Sequence, residues 1–239
     1  MIGPVFALTL RSLLLQKRTI VLGLVAAAPV VMALIYALAR APGSHDHSFY
    51  SDLVQQLFVP TVASLISLVF GVSAFGDERE DGTILYLVAT PQPRRELVVA
   101  KIAAAWAATL ILLVPSLLAS GLLSLRHGST AALIGWPLVG VLLASMAYCA
   151  GSVLLSLYTR RPIVIGVLYI LLWEGSIATF AASAAKLSIS AYGRAFTAHV
   201  LPQASRPVAG TALAALVLLV VVGATGWAAS RALGRVELP

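Results

Sequence analysis

Few side chains in this sequence can do chemistry, and their placement limits what that chemistry is. Five of the nine acidic residues fall in one stretch, as Asp77, Glu78, Glu80, Asp81 and Glu96. A single carboxyl, Glu174, stands inside the apolar run Leu171-Leu172-Trp173-Glu174-Gly175. His45-Asp46-His47 invites a metal, but two histidines and an aspartate in a polar loop fall short of a closed site, and the motif reads as solvated. The one cysteine, Cys149, excludes a disulfide within the chain and any Cys-based metal site. It reads as a small packing residue. No metal ligand set is expected.

The elements that must carry these residues follow from composition. The 239 residues are 60% hydrophobic and only 10% charged, where an ordinary soluble domain carries roughly a quarter charged residues. A soluble core of this size would leave large apolar patches exposed; lipid removes that conflict. The apolar runs are long and unbroken, so the spans are helices and not the alternating strands of a barrel. Six runs reach the ~20 residues that a crossing needs: 19–39, 53–75, 97–125, 131–158, 163–185 and 208–230. The fold class is therefore an all-α membrane protein forming a single transmembrane domain over 1–239. Ala37-Leu38-Ala39 imitates a signal-peptidase site, but the apolar stretch before it is too long for a signal core, and it reads as a retained span. Residues 1–18 carry Phe6, Leu10, Leu13 and Leu14 at helical spacing, although Leu8 and Leu15 break the pattern. They predict an interfacial amphipathic helix.

Basic residues orient the bundle. With the N-terminus inside, the inner segments hold Arg11, Lys17, Arg18, Arg79, Arg94, Arg95, Lys101, Arg160, Arg161, Arg231 and Arg235. The outer ones hold Arg40, Arg126, Lys186, Arg194 and Arg206. That excess predicts both termini in the cytoplasm, and it accounts for the net charge of +7 without nucleic acid. The outer stretch 186–207 scatters Leu187, Ile189, Tyr192, Phe196, Val200 and Leu201 among polar residues, which predicts short amphipathic helices at the outer surface.

The inner segment 76–96 is the most informative. A dense charge cluster cannot sit in hydrocarbon, so Asp77 to Asp81 mark the cytoplasmic exit of the second span. Gly82 permits a sharp turn. Asp81 or Thr83 can cap a short helix over about 83–90, and Pro91 and Pro93 end it. Arg94, Arg95 and Lys101 then anchor the third span. The product is a small ridge of Ile84, Leu85, Leu87 and Val88 ringed by charge. Such a ridge is either a solvated loop or a grip for a cytoplasmic partner.

This stretch resembles the membrane subunits of ABC-2 type exporters. The residues that carry the resemblance are Glu78-Arg79-Glu80-Asp81-Gly82-Thr83, then Pro91, Arg94 or Arg95, and Lys101. The layout of an N-terminal amphipathic helix, six spans and outer helices between spans five and six is also similar. Leu171-Leu172-Trp173-Glu174-Gly175 looks like the compact permeases grouped with multicopper-enzyme maturation transporters. The resemblance implies a permease that pairs with a second copy, identical or related, and with two cytoplasmic ATPase subunits. The loop holding Glu78, Arg79, Glu80, Gly82, Thr83, Leu85, Leu87, Pro91, Arg94 and Arg95 would then be the coupling helix. ATP and Mg would bind the partner ATPase, and the complex would lie in the cell (inner or plasma) membrane. Independently of the resemblance, the sequence has no G-x-x-x-x-G-K-[ST] loop, so no phosphate-binding loop for ATP is present. The chain itself is not expected to be an enzyme.

Polar residues inside the spans carry two readings each. Glu174 near mid-span either lines a translocation path or an interface, with Arg194 as a candidate partner, or makes a structural polar contact. Ser64, Ser67, Gly71 and Ala74 recur on one face of the second span, for close approach within the subunit or between two subunits. A stand-alone secondary transporter or channel would need inverted repeats, and none is convincing. An intramembrane enzyme would need histidines or clustered aspartates in the spans. The four histidines fall in outer connections instead.

Overall fold

A segment surrounded by apolar atoms must satisfy its own backbone polar groups, and the apolar runs accordingly fold as helices. The structure is a computed structural model that describes residues 2–39, 48–80, 94–124, 131–177, 182–201 and 208–234. Helix α1 (Ile2–Leu14) precedes α2 (Lys17–Ala39). Helix α3 runs unbroken through Ser48–Asp52, a π-helical Leu53–Ala63 and Ser64–Glu80. Then come α4 (Arg94–Ser124) and α5 (Ala131–Tyr158). Helix α6 starts as Pro162–Leu168 and continues as the π-helical Tyr169–Ile177. The short α7 (Ala182–Ala185), α8 (Ile189–Val200) and α9 (Thr211–Gly234) complete the chain. No strand occurs among the described residues.

Among the described residues, five helices are long and apolar enough to cross a bilayer: Lys17–Ala39, Ser48–Gly76, Arg95–Ser124, Ala131–Tyr158 and Thr211–Leu233. Within the run expected as a fifth crossing over 163–185, the described helix has segments of 7 and 9 residues, and residues 178–181 lie outside the described residues. The second span also starts earlier than its hydropathy suggested, at Ser48. Tyr36 of α2 stacks on Phe49 there with ring centroids 3.9 Å apart. Pro60, which lacks an N–H, falls inside the π-helical stretch of α3, where a shifted ladder accommodates the missing donor.

Helix α5 is the centre of the bundle, with α3, α4, α8 and α9 packed around it, while α1 and α2 lie on α4. Helix α1 turns Leu13 and Thr9 inward and leaves Leu8 outward, and Leu15 just after it is exposed as well. Helices α2 and α9 are the outermost: 22% and 17% of their spanning windows are buried, against 72% for α3. Their outer faces show Ile20, Leu24, Ile35, Leu216 and Leu219, an apolar surface that needs lipid or another apolar partner.

Helix α8 departs from the expectation of a surface helix. Its Ser190, Ala191, Gly193, Ala195, Phe196 and Thr197 are buried, and it packs against α5, α9 and the π-helical part of α3. Glycines make the approach possible. A Cβ on Gly140 of α5 would collide with the Gly193 carbonyl, and one on Gly193 would come within 2.9 Å of both Ala144 and Val59 side chains.

Candidate functional site

Two polar assemblies stand out in this apolar bundle. The first lies where α3 leaves it. Lys101 of α4 is wholly buried, donates to the Ala74 carbonyl and places Nζ 4.4 Å from the Phe75 ring centroid. Lysine was expected at this point as an interfacial anchor; it turns inward instead and grips α3. Arg18, at the start of α2, donates to Ser73 Oγ at 2.7 Å. Two cations from two helices thus hold consecutive residues of α3 one turn before Asp77. The helix continues from there through Asp77 to Glu80.

The second assembly surrounds Glu174, which is 2% exposed. Its Oε1 accepts from Tyr169 Oη at 3.1 Å and from the Ile189 N–H at 3.0 Å. Its Oε2 accepts from Ser188 Oγ at 2.7 Å and from the Ser190 N–H at 3.2 Å. Ser188 is the N-cap of α8 and accepts from the Ala191 N–H at 3.3 Å. The first three amides of α8, which have no partner within their own helix, are therefore all satisfied. The π-helical winding of α6 brings Tyr169 and Glu174, five residues apart, onto the same face. Tyr148 of α5 faces the same carboxyl and Ser190, and its hydroxyl stays beside them without closing a hydrogen bond. Tyr148 lies 17 residues from Ala131, about 26 Å along α5 from its first residue. The α8 N-terminus is thus drawn past the midpoint of the 28-residue α5. Arg194, the expected partner of Glu174, donates to Ser190 Oγ at 3.4 Å instead.

A family model described as ABC-2 family transporter protein matches residues 14–188, about three quarters of the chain. The chain belongs to the ABC-2 transporter family. No curated protein matches it closely enough to add a relative. The match runs from the end of α1 to the N-cap of α8, so it takes in both polar assemblies except for α8 itself. Membership fits a multi-pass membrane protein of the transport class, not a catalytic one.

The sequence-predicted site residues of this ABC-2 protein separate into three groups. Gly82, Thr83, Leu85, Leu87 and Pro91 lie outside the described residues, as do His45, Asp46 and His47. Glu78, Arg79 and Glu80 form the end of α3, and Arg94 and Arg95 begin α4. Ser64, Ser67 and Gly71 sit inside the subunit. Ser64 and Ser67 are fully buried, and a Cβ on Gly71 would stand 2.7 Å from Ser152 Cβ and 2.9 Å from the Cys149 carbonyl of α5. Cys149 itself packs there, 3.5 Å from Thr109 Oγ1. Among the described residues, no group of three His, Cys, Asp or Glu could hold a metal. Sequence reasoning missed Arg18, Tyr148 and Ser188 as site residues. Ser188 carried a legible signal, an N-cap residue before a helical segment; the other two depend on contacts between distant parts of the chain.

Proposed function

We propose that this chain is the permease subunit of an ATP-binding cassette exporter, paired with a second permease copy, identical or related, and with two cytoplasmic ATPase subunits. ATP and Mg bind those partners, and this chain binds neither. Segment 76–96 serves as the coupling helix, with Glu78, Arg79, Glu80, Gly82, Thr83, Leu85, Leu87, Pro91, Arg94 and Arg95 at the ATPase contact and α1 beside it. Both termini lie in the cytoplasm of a cell whose inner or plasma membrane holds the complex. Glu174, Ser64, Ser67 and Gly71 line the translocation path or an interface. The likeness of 171–175 to compact permeases of the multicopper-enzyme maturation group makes those the relatives of first interest.

One observation carries the reading. Helix α3 extends as a continuous rod from the buried Phe75 to Glu80, and its base is held by Lys101 and Arg18 from two other helices. A push on the acidic end is therefore delivered to α2, α3 and α4 together instead of being lost in a loose loop. The absence of a nucleotide-binding loop in the sequence supports a partner as the source of the push.

The test is coupling. In a reconstituted complex with its ATPase, Glu78→Lys and Glu80→Lys retain assembly and basal ATP hydrolysis but lose transport per ATP by about tenfold or more, the scale of a severed two-site linkage. Unchanged transport in both variants overturns the coupling role. Flux through the chain reconstituted without any ATPase overturns the ABC reading itself.

A further inference from the structure

We propose that the cleft between the start of α2, the end of α3 and the α5–α6 turn binds the headgroup of an anionic phospholipid. The cavity has a volume of about 480 Å³ and is lined by Arg18, Arg160 and Arg161 together with Ser73 and Thr159. Arg18 is held against the wall by its bond to Ser73 Oγ. Arg160 and Arg161 are exposed, and their guanidinium groups make no hydrogen bond or ion pair among the described residues. Three arginines lining one concavity supply the charge and the planar donor groups that suit a phosphate.

The occupant is a lipid and not a soluble phosphate because of where the cleft lies. Helix α2 starts, α5 ends and α6 starts within it, and α3 passes through at Gly76, so it marks the level at which three spans meet the membrane surface. Its other wall is apolar, with Ile163 and Val164 both exposed. From there α6 continues with exposed Leu168, Leu171 and Leu172, an apolar track for an acyl chain below a basic pocket. Basic pockets between membrane helices favour anionic headgroups in this way. Because Ser73 is also the residue that Arg18 grips at the base of α3, the bound lipid sits against the same helix end that the proposed coupling uses. The binding claim does not depend on that use.

The full chain in dodecyl maltoside micelles, titrated with dioleoyl phosphatidylglycerol or dioleoyl phosphatidylcholine and read by native mass spectrometry, decides it. Phosphatidylglycerol binds the natural chain more tightly than phosphatidylcholine. The Arg160→Gln/Arg161→Gln variant loses about thirtyfold in phosphatidylglycerol affinity, the worth of two basic residues near an anionic surface, with phosphatidylcholine binding unchanged. An Arg11→Gln/Lys17→Gln variant, of equal charge change at exposed positions of the same face, keeps its preference. Equal losses in both double variants reduce the effect to net charge and overturn the site. Equal binding of the two lipids by the natural chain overturns it as well. Displacement by glycerol phosphate as effective as by phosphatidylglycerol overturns the lipid as occupant in favour of a soluble phosphate.

Discussion

Glu174 receives two main-chain amides and two hydroxyls in a position that water does not reach. Removing the acceptor strands buried donors, each costing about 1–3 kcal/mol, and leaves the first amides of a helix N-terminus without their partner. Glu174→Ala is expected to lose at least about 3 kcal/mol of stability. Glu174→Gln keeps one acceptor oxygen and loses about half of that. Thermal unfolding in micelles should rank the midpoints natural chain, Gln variant, Ala variant; equal midpoints for all three contradict the role of Glu174 as a cap. The same residue shows why a carboxyl inside a span need not be a transported or catalytic group. Its four donors come from its own helix and from the first turn of α8.

At the scale of elements, α8 is the part whose placement carries most consequence. It is short and only partly apolar, yet it sits among α3, α5 and α9 because Gly140 and Gly193 let backbones touch and because Glu174 satisfies its first turn. Overpacking that contact should unseat it at a cost of about 1–3 kcal/mol. In a chain with Cys149 replaced by Ala, Thr197→Cys reports the seating, since Thr197 is wholly buried. A membrane-impermeant maleimide is expected to leave that cysteine unmodified and to label it at least about fivefold faster once Gly140→Leu is added, as a contact worth about 1–3 kcal/mol is lost. Equal labelling with and without Gly140→Leu contradicts the close fit. The two π-helical segments share this logic: one spans Pro60, the other brings Tyr169 onto Glu174. Each occurs where an ordinary α-turn would leave a backbone or side-chain group without its partner.

For the whole molecule, the open quantity is the parity of crossings. Among the described residues five helices are long enough by themselves, and the described part of α6 is shorter. The excess of basic residues in alternate segments favours both termini in the cytoplasm, which agrees with an even number of crossings. Tags at the N- and C-termini, tested in right-side-out and inverted vesicles, are expected to become accessible together in the inverted preparation. Accessibility of the two tags from opposite sides means that α6 and α8 form a hairpin that does not cross, and it removes the topology on which the proposed coupling rests.

Apolar run length is a property summed along the chain, so the helical membrane class and the five long spans were legible in the residues alone. So was the resemblance to ABC-2 permeases, because it rests on a contiguous motif, and the family match agrees with it. Partner choice is not summed along the chain. Nothing local to Glu174 says that it meets Ser188 and not Arg194. Nothing local to Lys101 says that it turns toward Ala74, and nothing in the mixed polarity of 189–200 says that its amides find a carboxyl within the bundle. Those outcomes depend on which atoms distant segments bring to the same place. In an apolar surrounding a buried polar atom is costly without such a partner, so tertiary packing decided them.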